Sequence, residues 1–342
     1  MRGRCWQEKR ISVDQVLGIR KGYRITNMEK HILVGLDGSP ASLAAVKYLG
    51  FILGKGARVM IDLLHILPGI PPLFLEPGEN MAQLLQIQDF AERLSKEERH
   101  KAEILLNEAT GILTEAGIPP KNIRLLIEEP SAGVSRHILT LEQEGSYDAI
   151  VLGRHGMSAV ETFLMGSVTH KVLQHTKGLP LCVVHGKIES RKLLVPIDSS
   201  PNSKRVLDHV AWLLAETGPM EVAILHVVAP LIAREMPLIW TGLPKLRSTV
   251  EQRVLDDAED MLSQAKTYLT ERDVPAFSIK TRLEKPSTPG VAPTILHEAV
   301  EGAYGSIMIG RRGISRTERF LFGSVSNKIV QQARDMAVWV VS

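Results

Sequence analysis

Short apolar runs alternate with longer segments of helical periodicity along most of the chain. Uninterrupted apolar runs bounded by turn residues are typical of strands buried on both faces of a parallel sheet. Five strands are predicted in each half of the chain. They cover 32–36, 58–66, 123–127, 149–152 and 181–184, and then 193–197, 221–228, 277–283, 306–309 and 337–341.

The segments between these strands predict helices. Ser39-Pro40 and Ser200-Pro201 supply helix starts, and apolar residues follow each at helical spacing. Long charged stretches at about 80–116 and 248–272 predict two further helices, whose apolar stripes either cover the sheet or form a groove for a partner. Regular alternation of strand and helix predicts a doubly wound parallel sheet with ligands beyond its carboxyl edge.

The pattern repeats within the chain. The segment 31–40 resembles 192–201, which lies 161 residues later, and 149–156 resembles 306–313, which lies 157 residues later. At 342 residues the chain is also too long for one ordinary core. We therefore predict two α/β domains, 29–186 and 191–342, each with a Rossmann-like five-stranded sheet.

Charge and cysteine content narrow the picture further. Residues 1–27 hold seven Lys/Arg and two Asp/Glu, a net +5, whereas the whole chain carries +3. We expect 1–28 to be a disordered basic arm or a start site placed too far upstream, and we expect no nucleic-acid surface. No apolar run approaches the roughly 18 residues of a membrane helix. Cys5 and Cys182 lie far apart, which fits free thiols in a reducing cytoplasm.

A glycine pattern follows the fourth strand of each half. It is Gly-x2-Gly-x9-Gly-Ser, with identical spacing in both halves. The first glycine lets the chain turn off the strand, the second lets backbone amides approach an anion, and the third precedes a helix whose free amides can bind phosphate. The residues are Gly153, Gly156, Gly166 and Ser167, and Gly310, Gly313, Gly323 and Ser324.

An acid ends the first strand of each half, Asp37 in one and Asp198 in the other. A carboxylate at the sheet's carboxyl edge can accept hydrogen bonds from ribose hydroxyls. It can also cap the helix that follows, and both roles are expected here.

These motifs together resemble the tandem form of the universal stress protein family, over residues 31–342. The resemblance implies an adenine nucleotide alpha hydrolase-like fold and ATP, ADP or AMP as ligand, with Mg²⁺ held through the phosphates. It assigns ribose or adenine contact to Asp37 and Asp198 and phosphate contact to the glycines and serines of both loops. It adds Val168 with Thr169 and Val325 with Ser326 as completing the loops, and the backbones of Ile66 and Val227 as facing adenine.

Other residues near the motifs have two interpretations. Arg154, Arg311 and Arg312 occupy the loop turns, where a guanidinium could pair with phosphate or be a solvated charge. His65 and His226 recur at one position, where packing or a backbone hydrogen bond is expected rather than a metal.

Two differences between the halves put equal affinity in doubt. The second half has Ser199 in place of Gly38, and Gly305-Ser306 in place of 148–149. The second change removes an acid, so a side-chain contact is expected to be missing there.

The predicted function is a nucleotide-binding regulatory module in stress response, with slow ATP hydrolysis at most, because the loops offer no obvious general base. An enzyme that uses ATP for adenylyl transfer and a scaffold with vestigial loops remain alternatives. The two domains are expected to pair through their fifth strands, by resemblance, and whether two chains associate stays open.

Overall fold

The structure is a computed structural model. It describes residues 30–54, 57–69, 81–129, 133–144, 147–156, 165–228, 244–286, 290–313 and 323–342. The predicted basic arm lies outside these residues.

The first half alternates strands and helices as the apolar pattern predicts. Its strands are β1 (Lys30–Gly35), β2 (Val59–Ile66), β3 (Ile123–Glu128), β4 (Ala149–Gly153) and β5 (Leu181–His185). Its helices are α1 (Pro40–Leu53), α2 (Met81–Glu115), α3 (Val134–Gln143) and α4 (Ser167–His175).

The second half repeats this order. Its strands are β6 (Lys192–Pro196), β7 (Glu221–Val227), β8 (Ile279–Glu284), β9 (Ser306–Gly310) and β10 (Met336–Val341). Its helices are α5 (Pro201–Glu216), α6 (Pro244–Thr270), α7 (Val291–Glu301) and α8 (Ser324–Gln332).

Two predicted boundaries in the second half are wrong. The third strand was expected from 277, but Ala276–Ser278 form a 3-10 turn after Pro275 and β8 begins at Ile279. Phe277 is 90% exposed in that turn, so it belongs to no buried strand. Helix α6 begins at Pro244 rather than near 248, because proline is well suited to the first turn of a helix.

Each half forms a parallel five-stranded sheet, and the two sheets join into one. The strand order is β3-β2-β1-β4-β5-β10-β9-β6-β7-β8. Strands β5 and β10 meet antiparallel, with Val183 opposite Val338 near the centre of the pairing. The predicted association of the halves through their fifth strands is confirmed.

Two apolar layers cover the sheet, and both continue from one half into the other. Buried residues of α1, α2, α5 and α6 form one layer, and those of α3, α4, α7 and α8 form the other. The first layer contains a buried polar chain, in which Tyr48 Oη lies 2.9 Å from Ser306 Oγ and accepts the Trp339 indole N–H at 2.8 Å. Both apolar layers therefore cross the boundary between the halves.

Among the helices of the described residues, none combines the length and the apolar character that crossing a bilayer requires.

Candidate functional site

The acid at the end of the first strand and the second loop glycine lie against each other in both halves. A Cβ atom added to Gly156 would lie 2.5 Å from Asp37 Oδ2, and one added to Gly313 would lie 2.5 Å from Asp198 Oδ2. A side chain at either position would displace the carboxylate from this place. The structure thus brings together two features that the sequence predicts separately.

Each of these acids is held by the turn that begins the next helix. The Ser39 amide donates to Asp37 Oδ1 at 3.0 Å, and the Asp37 amide donates to Ser42 Oγ at 3.4 Å. The expected capping role of the acid is wrong, because the N-cap of α1 is Ser39. Asp37 instead orders the turn before the helix by accepting the Ser39 amide.

The second half repeats the arrangement. The Ser200 amide donates to Asp198 Oδ1 at 3.0 Å and the Asp198 amide donates to Ser203 Oγ at 3.0 Å. Sequence reasoning missed the supporting hydroxyls of Ser42 and Ser203. Their recurrence at the 161-residue offset was the available signal.

The first loop glycine has a different role from the one expected. Its predicted task was to relieve the turn off the strand, but Gly153 is not among the glycines with positive φ. A Cβ atom on Gly153 would lie 2.6 Å from the backbone carbonyl carbon of Ala41. Glycine is required here because the start of α1 packs directly on the end of β4.

The third loop glycine closes the loop onto the strand end. The Gly166 amide donates to the Arg154 carbonyl at 2.8 Å, and the Gly323 amide donates to the Arg311 carbonyl at 3.0 Å. Hydroxyls of the next helical turn reinforce this closure: Thr169 Oγ1 donates to the Gly153 carbonyl at 2.8 Å, and Ser326 Oγ to the Gly310 carbonyl at 2.7 Å. Both hydroxyls therefore complete the loops through the backbone.

Helices α4 and α8 begin where the motif predicts, at Ser167 and Ser324. The N-cap residues are Gly166 and Gly323, which have no side chain to occupy the first amides, and both serine side chains are exposed. The first amides of a helix have no intrahelical acceptor, so a helix start with a glycine N-cap can bind an anion through its backbone.

The paired histidines at the end of the second strand bind backbone. His65 Nδ1 lies 2.9 Å from the Leu36 carbonyl oxygen, and His226 Nδ1 lies 2.9 Å from that of Ile197. The expected backbone hydrogen bond is confirmed. Their neighbours Ile66 and Val227 end β2 and β7, each at the carboxyl edge of its own half's sheet, and their contact with adenine stays a prediction.

Two loop arginines do not have the role that was expected of their side chains. Arg154 is 1% exposed and Arg311 is 9% exposed, so neither is a solvated charge. Each guanidinium donates to carbonyl oxygens of the opposite half instead of facing a phosphate of its own loop. Burial lowers the pKa of both groups. Arg312, in contrast, is exposed.

The turn between the first two glycines differs between the halves. His155 occupies it in the first half, edge-on to His185 with ring centroids 5.9 Å apart, and Arg312 occupies it in the second. Burial, reinforced by the Arg154 guanidinium, lowers the pKa of His185. The Asp335 amide approaches His185 Nδ1 at 3.2 Å, as expected for a neutral imidazole that accepts a hydrogen bond.

The acid before the fourth strand makes contacts that the second half lacks. Asp148 accepts from Lys30 Nζ at 3.3 Å and from the His31 amide at 2.9 Å. At the equivalent place Gly305 offers its amide to the Lys192 carbonyl at 3.1 Å. The expected loss of a side-chain contact in the second half is confirmed.

Known proteins share these features. The model of the universal stress protein family matches residues 28–185 and again 189–342. A universal stress protein from Mycolicibacterium smegmatis is 25% identical over 319 residues, covering 89% of this chain and 95% of the relative. Universal stress protein YxiE from Bacillus subtilis is 32% identical over 144 residues, covering 41% of this chain and 91% of YxiE.

A solved structure shares the fold. The crystal structure of a universal stress protein from Archaeoglobus fulgidus superposes with a TM-score of 0.57 at 20% identity, covering 92% of this chain and 99% of the other. With both halves matched by the family model, this chain belongs to the universal stress protein family, in a tandem two-domain form.

Proposed function

We propose that each half binds one adenine nucleotide, with ATP as the first candidate, and that the chain acts as a regulatory binding module in stress response. The observation that carries the proposal is the repeated constellation at the sheet edge. In both halves an acid faces the second loop glycine, and a helix whose N-cap is the third glycine begins with an exposed serine.

The phosphates would bind at the starts of α4 and α8. Backbone amides there and the hydroxyls of Ser167 and Ser324 can donate to phosphate oxygens. The helix dipole adds about 0.3–1 kcal/mol per charge at an exposed end. Mg²⁺ would be held through the phosphates. Asp37 and Asp198 would accept from the ribose, and the backbones of Ile66 and Val227 would face adenine.

A binding role is favoured over catalysis because the two proposed nucleotide sites share backbone geometry but differ in side chains. The acid, the glycines and the serine recur, whereas His155 is replaced by Arg312 at the turn. Anion binding by backbone amides tolerates this difference. A reaction that used the side chain at this position as an acid or base would not tolerate the replacement of His155 by Arg312.

The proposal is tested by Ser167→Glu and Ser324→Glu, singly and together, with Ser→Gln at the same positions as neutral controls. A glutamate at the first helical position agrees with the helix dipole, so we expect the fold to stay intact. Its charge should repel the phosphates. Calorimetric titration with Mg²⁺-ATP should give two sites in the unchanged chain, one in each single variant and none in the double variant.

A thermal shift provides an independent measurement. At about 100 times its Kd, ATP should stabilise the unchanged chain by roughly 2.7 kcal/mol per site. Absence of binding and of any copurified nucleotide would favour the scaffold alternative. Rapid turnover of ATP with a second substrate would favour the enzyme.

A further inference from the structure

Two buried arginines connect each loop to the helix that serves the opposite loop. Arg154 Nη1 donates to the Ala333 carbonyl at 2.8 Å, and Nη2 donates to the carbonyl of Gln331. In the reverse direction, Arg311 Nη1 donates to the Thr176 carbonyl and Nη2 to that of Gln174. All three positions are related by the 157-residue offset of the repeat, so the contacts are equivalent by pseudo-twofold symmetry.

The acceptors lie at the carboxyl ends of α8 and α4. The last carbonyls of a helix lack intrahelical donors and carry the negative end of the dipole, so a guanidinium is a favourable partner there. Such a charge, once buried, is held firmly, because losing its acceptors would leave it unpaired in the interior.

The same arginines are also part of their own loops. The Arg154 amide donates to the Val184 carbonyl at 2.9 Å, and its carbonyl accepts the Gly166 amide. The Arg311 amide donates to the Val341 carbonyl at 2.6 Å, and its carbonyl accepts the Gly323 amide. Each residue therefore fixes the loop through its backbone and the opposite helix through its side chain.

Helices α4 and α8 each have nine residues, a length of about 13 Å at 1.5 Å per residue. One end of α8 meets Arg154 of the first loop, and its other end is Ser324 of the second proposed site. Helix α4 joins Arg311 to Ser167 in the same way. A short rigid element thus connects the two loops in each direction.

Resting on the proposed function, we infer that the two nucleotide sites are positively coupled through these arginines. A nucleotide that fixes the first loop also fixes Arg154, and with it the carboxyl end of α8. The second site then loses less conformational freedom when it binds, which raises its affinity. Linkage requires the same factor in the opposite direction, carried by Arg311 and α4.

The coupling is measured by Mg²⁺-ATP calorimetry on the full chain. Ser324→Glu and Ser167→Glu report the intrinsic association constants of the first and second sites. The product of the two stepwise constants of the unchanged chain should exceed the product of these intrinsic constants by about fivefold or more. The double variant Arg154→Met/Arg311→Met, tested with the same Glu substitutions, should lower this factor to about one. Arg136→Met, a change at an exposed arginine of α3, is the matched control and should leave it unchanged.

Hydrogen exchange tests the same connection without altering the arginines, in case their replacement unfolds the chain. In Ser324→Glu, ATP at the first site alone should slow amide exchange at 329–333, the carboxyl end of α8 and its C-cap. Unchanged exchange there, or a factor of one in the unchanged chain, would overturn the coupling while leaving nucleotide binding intact. A ratio of the two products that stays above one in the double variant Arg154→Met/Arg311→Met would also overturn the coupling. Failure of the unchanged chain to bind ATP would instead overturn the proposed function, and the coupling with it.

Discussion

At the scale of single residues, the three motif glycines lie close to three different kinds of neighbour. Gly153 lies beneath the start of α1, Gly156 faces the Asp37 carboxylate, and Gly166 approaches the Arg154 carbonyl, with an added Cβ at 3.3 Å. None of the three has positive φ, so close approach rather than backbone conformation selects glycine. A neighbouring backbone atom cannot move as easily as a side-chain end. Gly153 is therefore the least tolerant of a methyl group.

We predict that Gly153→Ala lowers the free energy of unfolding by about 1–3 kcal/mol, as overpacking of a tight contact does. Gly111→Ala in α2 is the matched control. No atom lies within 4 Å of an added Cβ there, so the change should stabilise by about 0.4–1 kcal/mol. Urea unfolding of both variants measures the difference, and equal effects would contradict the packing role of Gly153.

At the scale of elements, α1 and α5 start with the same Ser-Pro pair but are capped differently. Ser39 Oγ accepts the Ser42 amide at 3.1 Å and donates to the His155 carbonyl at 3.2 Å. The buried Ser200 hydroxyl has no hydrogen-bond partner among the described residues. In the second half the contact between helix and loop comes from Asn202, whose side-chain amide donates to the Arg312 carbonyl at 2.8 Å. One sequence motif thus supports two local hydrogen-bond arrangements.

We predict that Ser39→Ala destabilises the chain by about 1 kcal/mol, since both a helix cap and a loop contact are lost. Ser200→Ala should cost less than about half as much, because its hydroxyl caps nothing. Thermal unfolding compares the two variants. A larger effect at Ser200 would show that the two caps are assigned the wrong way round.

At the scale of the whole molecule, the two halves are joined by one sheet and by apolar layers that contain residues of both. Strands β5 and β10 pair edge to edge, and Tyr48 of α1 connects Ser306 of β9 with Trp339 of β10. Burial raises the pKa of Tyr48 well above its usual range, so its hydroxyl stays protonated and available to donate. The two halves should therefore unfold in one cooperative transition.

We predict that Tyr48→Phe lowers the free energy of unfolding by about 1–3 kcal/mol, because Trp339 Nε1 and Ser306 Oγ would remain buried without this partner. Tyr268→Phe is the matched control. Its hydroxyl binds Asp208 on the exposed surface of one half at 2.6 Å, so water can replace the bond and the cost should be smaller. Chemical unfolding monitored by tryptophan fluorescence compares the two variants. An equal loss of unfolding free energy in both would argue that the buried hydrogen bonds of Tyr48 do not stabilise the protein.

The strands and helices, the internal repeat and the residues of each proposed nucleotide site can be predicted from the sequence alone. Apolar periodicity reports burial along one strand or helix, and exact recurrence of Asp37, Gly156 and Ser167 in the second half marks the residues that act together. These signals are local or repeated, so they need no knowledge of how distant segments pack.

Packing between segments that lie far apart in the sequence fixes where Arg154 and Arg311 point and why Gly153 is a glycine. Arg154 and its acceptor Gln331 are 177 residues apart, and the contact depends on how β5 and β10 bring the halves together. A guanidinium one residue after a loop glycine has the same local sequence whether it faces a phosphate or a helix end. Its destination is fixed by packing between segments that no periodicity relates.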